Sequence, residues 1–112
     1  MNQKVMINND EKTVFELLRN TIEGYISGCS VMLFGSRARK DNSIDSDYDI
    51  LIVTKAEYDI TTKREYKAYL RKFFAKYKIP VDILIHSELE VESKKNISGH
   101  IVHQVYNEGI VL

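Results

Sequence analysis

The hydrophobic positions of the chain recur at helical spacing in three segments, which predicts three main helices. The first helix covers residues 8–27, where Asn8, Asn9 or Asp10 can cap its start. Its apolar stripe consists of Val14, Phe15, Leu17, Leu18, Ile22, Tyr25 and Ile26. A second helix is predicted over about residues 59–77, and its inward stripe consists of Tyr66, Leu70, Phe73 and Tyr77, widened by Tyr69 and Phe74. The third runs from Asn96 to Glu108 and stops at Gly109.

Short apolar runs between these helices predict strands. They cover residues 31–34, 47–53 and 79–86, and the apolar tail 110–112 can add a short edge strand or contact a partner. The polar segment 87–95 is compatible with a turn or a poor helix. Strands and helices therefore alternate, which predicts an α/β fold with a small mixed β-sheet flanked by α-helices.

Composition indicates a single soluble domain spanning residues 1–112. The chain is 44% hydrophobic and 29% charged, with a net charge of 0 and one cysteine. A neutral chain makes nucleic acid an unlikely partner, because a nucleic-acid footprint normally needs a basic surface. The polar start does not resemble a signal peptide, and no apolar stretch reaches membrane-spanning length, so no membrane association and a cytoplasmic location are expected.

Two carboxylates are built into the start of the second strand. Side chains alternate along a strand, so Asp47 and Asp49 point to the same face, while Ile50 and Ile52 point to the other. Neighbouring carboxylates repel each other, and a cation offsets that cost. Mg2+ is the obvious candidate because it prefers oxygen ligands.

A potential phosphate-binding turn precedes these acids. Gly35 and Ser36 end the first strand, where glycine allows a ligand to approach the main-chain N–H groups and serine adds a hydroxyl. Arg37 and Arg39 supply forked positive charge suited to phosphate. A charged surface hairpin is the alternative, and for Gly35 and Ser36 alone it would be the better interpretation. The combination with the paired acids favours a site for a metal-bound nucleoside triphosphate.

A third carboxylate, Asp82, stands near the start of the apolar run 79–86. Alone, it would be interpreted as a solvent-facing residue or a turn cap after Pro80. The helix between the second and third strands makes those strands parallel, however, which brings their starts to one edge of the sheet. If the first strand is antiparallel to the second, Gly35 reaches the same edge. Asp47, Asp49 and Asp82 can therefore converge beside the glycine turn.

The sequence Gly35-Ser36-Arg37-Ala38-Arg39, followed by Ser46-Asp47-Tyr48-Asp49, resembles the signature of the DNA polymerase beta-like nucleotidyltransferase superfamily. Over essentially the whole chain, it is similar to the minimal nucleotidyltransferase (MNT) antitoxins that accompany HEPN-domain toxins. One departure is Lys40, where many relatives have glycine.

The resemblance implies the polymerase beta-like nucleotidyltransferase fold and Mg2+-dependent transfer of a nucleoside monophosphate, with ATP as donor. Asp47, Asp49 and Asp82 would be the catalytic metal ligands, and Gly35, Ser36, Arg37 and Arg39 would bind the nucleotide. The acceptor hydroxyl would belong to a tyrosine of a cognate HEPN toxin, and the resemblance also implies an oligomer of antitoxin and toxin. A non-catalytic antitoxin that neutralises its toxin by binding is the alternative. Transfer to RNA or to an antibiotic is a third hypothesis, for which a partner subunit would have to hold the acceptor.

Overall fold

The computed structural model describes residues 10–112, with helices and strands in the following order. They are α1 (Glu11–Tyr25), β1 (Ser30–Phe34), α2 (Gly35–Arg39), β2 (Tyr48–Thr54), α3 (Ile60–Ala75), β3 (Val81–Ser87), α4 (Glu88–Lys94), α5 (Ile101–Glu108) and β4 (Ile110–Val111). Asp10 caps α1 through its side chain, while Asn8 and Asn9, the other proposed caps, and the polar start lie outside the described residues.

The four strands form one mixed sheet in the order β3-β2-β1-β4. Strands β2 and β3 are parallel, as the crossover through α3 predicted. Strand β1 pairs antiparallel with both β2 and β4. The predicted mixed α/β fold, including the short C-terminal edge strand, is therefore confirmed.

The two faces of the sheet are covered by different helices. On one face, α1 and α3 contribute the buried residues Val14, Leu18, Ile22, Leu70 and Phe74. On the other face, α4 and α5 pack Val91, Val102 and Val105 against Met32, Phe34, Leu51 and Val53. Side-chain alternation places Asp49 and Asp82 on this second face, so α5 shares a face of the sheet with the predicted site.

The structure departs from the sequence predictions in three segments. The polar segment after β3 is a regular helix, α4, because Ser87 and Glu90 form a reciprocal capping box at its start. The last helix starts at Ile101 rather than Asn96, and the His100 ring accepts the Val102 N–H as its cap. The second predicted helix, α3, ends at Ala75, so Tyr77 lies beyond it and, instead of pointing inward as predicted, is 48% exposed.

Among residues 10–112, no helix combines the length and the apolar character that crossing a bilayer requires.

Candidate active site

Asp49 and Asp82 lie side by side across neighbouring strands. They are register partners in the parallel pair of β2 and β3, and Phe34 at the end of β1 is opposite Asp49. The predicted meeting of the two strand starts at one edge of the sheet is therefore observed. Alternation along both strands directs the two carboxylates to the same face.

The surroundings of Asp49 disfavour its charged form. Its pKa is raised above the ordinary value, first by desolvation and then by the negative charges of Asp82 and Asp47, although Arg39 acts in the opposite direction. Asp47 and Asp82 are exposed, whereas Asp49 is half-buried. The edge therefore has an excess of negative charge that a cation would relieve.

Gly35 lies directly against Asp49. Its φ of +73° is in the left-handed region, and a Cβ at this position would overlap Oδ2 of Asp49 and lie 3.0 Å from its Cγ. Only glycine fits this junction of β1 and α2 without strain. The space beside Gly35 is thus taken by the Asp49 carboxylate, whereas the sequence predicted glycine there for the approach of a ligand, which stays a prediction.

A residue that the sequence did not single out completes this corner. Glu108, at the end of α5, accepts a hydrogen bond on Oε2 from the Gly35 N–H at 2.9 Å. The same oxygen accepts from Nη1 of Arg39 at 3.0 Å and from Nε2 of Gln104 at 3.3 Å. Arg39 also pairs with Asp41 through its Nε at 3.1 Å. Local sequence gave no signal for this contact, because Glu108 and Gly35 are 73 residues apart.

Arg37 points into the loop before β2. Its Nε donates to the Ser46 carbonyl at 2.9 Å and its Nη2 to the Ile44 carbonyl at 3.1 Å. The guanidinium also lies 4.0 Å from the centre of the Tyr48 ring. These contacts hold the loop that carries Asp47, and the phosphate contact predicted for Arg37 stays a prediction.

The α2 turn that contains Ser36 closes on a left-handed residue. The Ser36 carbonyl accepts from the backbone N–H groups of Lys40 and Asp41. Lys40 itself has a φ of +65°, a conformation that favours glycine. This backbone geometry explains why glycine suits the position at which Lys40 departs from the family pattern.

The carboxylate oxygens of the site are ligands that suit Mg2+, but they do not form a complete metal-binding site by themselves. Within residues 10–112, no group of three or more carboxylate, imidazole or thiolate side chains is arranged to hold a metal. Asp47 precedes β2 and is exposed, so the close pair consists of Asp49 and Asp82. Mg2+ is commonly bound by a few carboxylates together with water and substrate phosphates, so two aligned carboxylates fit an ion that arrives with a triphosphate.

Comparison with known proteins gives a consistent result. Residues 16–112 match the family described as "Polymerase beta, Nucleotidyltransferase". Over 107 residues, the chain is 34% identical to "Putative protein adenylyltransferase MJ0604" of Methanocaldococcus jannaschii, which covers 93% of this chain and 98% of the relative.

Two solved structures share the fold. A crystal structure described as "a putative nucleotidyltransferase from Sulfolobus solfataricus" superimposes with a TM-score of 0.59 and 20% identity, covering 98% of this chain and 87% of the other. A "toxin-antitoxin with AMP-PNP" superimposes with a TM-score of 0.55 and 22% identity, covering 91% of this chain and 71% of the other.

Proposed function

The chain belongs to the polymerase beta nucleotidyltransferase family, and we propose that it transfers AMP from ATP to a hydroxyl group of another protein. Family membership confirms the fold and the enzyme class predicted from the sequence. The observation that carries the proposal is the register pairing of Asp49 with Asp82 beside the Gly35 turn. This pairing puts two aligned carboxylates next to the Gly35 N–H, a donor suited to phosphate that donates to Glu108 in the free protein.

In the proposed site, each polar group has a distinct task. Asp47 and Asp49 would hold Mg2+ on the triphosphate, and Asp82 would complete a second metal site and favour deprotonation of the attacking hydroxyl. When bound, Mg2+ would neutralise charge on the phosphates and orient them for in-line displacement. Ser36, the Gly35 N–H and Arg39 hold the β- and γ-phosphates. Arg37 contributes by fixing the Asp47 loop, since its Nε and Nη2 already donate to loop carbonyls.

The reaction is a substitution at the α-phosphorus of ATP. The acceptor oxygen forms a bond to that phosphorus, the bond to the bridging oxygen between the α- and β-phosphates breaks, and pyrophosphate leaves. The hydroxyl proton passes to the carboxylate edge at Asp82 and from there to solvent. Desolvation and the nearby charges of Asp82 and Asp47 raise the pKa of Asp49, and a bound cation would offset both effects.

A protein acceptor is supported by the relative that covers nearly the whole chain, because that relative is described as a "Putative protein adenylyltransferase". A toxin partner is supported by the structural neighbour described as a toxin-antitoxin with AMP-PNP. We therefore propose that the protein is a cytoplasmic antitoxin of the MNT type. Its acceptor is a tyrosine of a cognate HEPN-domain toxin, to which the sequence resemblance points.

The test uses purified protein, Mg2+ and α-labelled ATP in lysate of the source cells. Asp49→Asn serves as the inactive variant and Asp45→Asn as the control, because Asp45 is an exposed carboxylate in the same loop. The expected result is label in one protein band, present with the wild type and the control and absent with Asp49→Asn. Chelation of Mg2+ should remove the band as well.

Other outcomes would change the proposal. Label in RNA would replace the protein acceptor with a nucleic-acid acceptor. No label from folded wild type, together with toxin neutralisation that survives Asp49→Asn, would favour an antitoxin that acts by binding alone.

A further inference from the structure

The carboxylate of Glu108 lies on the donors that the phosphates of a nucleotide would use. Its Oε2 receives the Gly35 N–H at 2.9 Å and the Arg39 guanidinium at 3.0 Å. The pKa of the neighbouring Asp49 carboxyl is raised first by desolvation and then by nearby carboxylates, of which Glu108 has the smallest effect. An anion therefore already lies where a second anion is expected to bind.

The fold holds Glu108 in this position. The Gly109 N–H donates to the Val105 carbonyl at 2.7 Å, and a Cβ on Gly109 would come within 2.5 Å of that oxygen and 3.0 Å of the Leu33 carbonyl. The backbone after Glu108 is thus pressed against β1, and β4 follows at once as the partner of β1. The side chain of Glu108 is only 21% exposed. Its contact with Gly35 is therefore a consequence of how α5 and β4 join the sheet.

A carboxylate and a phosphate cannot both accept from the Gly35 N–H, because the N–H can direct its hydrogen at only one oxygen with good geometry. Carboxylate and phosphate oxygens also compete for guanidinium, since both form charge-assisted hydrogen bonds with it. When a triphosphate enters, Glu108 must give up these contacts. Its negative charge would otherwise face the phosphates at close range.

We propose that Glu108 is an internal competitor of the triphosphate that sets the affinity of the site for its nucleotide. This inference rests on the proposed nucleotidyltransferase function. In the free protein, the Glu108 carboxylate satisfies the Gly35 N–H and Arg39; in the nucleotide complex, phosphate oxygens replace it. Glu108 thus occupies the phosphate donors in the free protein, and its release is coupled to nucleotide binding.

The competing possibility is that Glu108 supports binding by holding Arg39 in the orientation that the phosphates need. The two possibilities predict opposite signs. Removing a competitor lowers the dissociation constant, whereas removing a support raises it.

The experiment measures dissociation constants by calorimetry, with Mg·ATP and with inorganic tripolyphosphate as probes. Three variants of the full chain are compared with the wild type. Glu108→Gln keeps the length of the side chain but removes its charge, while Glu108→Asp keeps the charge and shortens the reach to Gly35. Glu92→Gln is the control, because Glu92 is an exposed carboxylate on α4 that pairs with Lys95 away from the site. Thermal unfolding confirms that each variant is folded.

We expect Glu108→Gln to bind both probes at least roughly fivefold more tightly than the wild type, since a charge-assisted contact no longer has to be broken. Glu108→Asp should also lower the dissociation constants, whereas the Glu92→Gln control should have the dissociation constants of the wild type. The improvement with tripolyphosphate would show that the effect acts on the phosphates and not on the base.

Equal or weaker binding by Glu108→Gln, with wild type that binds Mg·ATP, would overturn the competitor role alone. If Glu92→Gln increased the affinity by the same factor, the competitor role would also be overturned, because the effect would then come from the net charge of the protein. If folded wild type and all variants bind neither probe, the proposed nucleotidyltransferase function fails, and this inference fails with it.

Discussion

Replacing Gly35 with alanine tests the closest approach in the candidate site. The left-handed backbone at Gly35 costs an L-residue about 1–2 kcal/mol, and the lower entropy of an unfolded alanine chain returns about 0.5–1 kcal/mol. The new Cβ must also displace the Asp49 carboxylate. Overpacking of this kind destabilises a protein by about 1–3 kcal/mol. We expect Gly35→Ala to lower the free energy of unfolding by about 2–3 kcal/mol and to abolish nucleotidyl transfer.

A double-mutant cycle separates the two contributions. Asp49→Ala removes Oδ2 and Cγ and leaves only Cβ, 3.2 Å from the added methyl group, so the cost of Gly35→Ala in that background should fall towards the backbone contribution of about 1 kcal/mol. Urea unfolding followed by circular dichroism measures all four proteins. Gly24→Ala is the matched control: Gly24 lies in α1 with nothing within 4 Å of an added Cβ, so this change should stabilise the protein by about 0.5–1 kcal/mol. An unchanged cost of Gly35→Ala in the Asp49→Ala background would refute the steric reasoning.

Three further predictions concern charge and backbone strain. Because the pKa of Asp49 is higher in the folded than in the unfolded state, ionisation of Asp49 destabilises the fold as pH rises above the unfolded pKa. Asp49→Asn should therefore unfold at a higher urea concentration than the wild type at pH 7. In acid, where Asp49 is protonated in both states, this difference should disappear. Burial acts to raise the pKa of Glu90, but the Ser87 N–H and the Lys63 ammonium lower it to about 2. Glu90→Gln should therefore cost roughly 1–2 kcal/mol at pH 7, and urea titrations should show this difference shrinking as pH falls from the unfolded pKa towards 2. Lys40→Gly should raise the free energy of unfolding by about 0.5 kcal/mol, because relief of the left-handed strain exceeds the added chain entropy; a lower urea midpoint would contradict this explanation.

The arrangement of the strands that carry the site could be predicted from the sequence, because it depends on the spacing of apolar residues and on the order of helices and strands. Apolar runs of strand length and the long helix between β2 and β3 were enough to make those strands parallel. Once they are parallel, Asp49 and Asp82 must meet at one edge, and the antiparallel pairing of β1 with β2 brings Gly35, which directly follows Phe34, to them. The start of α4 carried a recognisable signal as well, the capping-box pair Ser87 and Glu90, which the polar composition of the segment obscured.

Side-chain partners in the site could not be predicted in the same way. Arg37 and Arg39 are equivalent in the sequence pattern, yet one donates to loop carbonyls and the other pairs with Glu108. Nothing local distinguishes them, because the choice depends on the path of the loop before β2 and on the position of α5. In the sequence, Glu108 is only the last residue of the third predicted helix. Its contact with Gly35 arises only when α5 packs on the same face as the acidic edge.

The most direct test of the central claim is the initial rate of AMP transfer to the acceptor protein with Asp49 and Asp82 replaced in turn. We expect Asp49→Asn and Asp82→Asn each to reduce the rate by at least about a hundredfold, as loss of a group that stabilises charge in the transition state does in other enzymes. Asp45→Asn should keep the wild-type rate, and circular dichroism should show that all variants are folded. Wild-type rates in folded Asp49→Asn and Asp82→Asn would contradict the assignment of catalysis to this edge of the sheet.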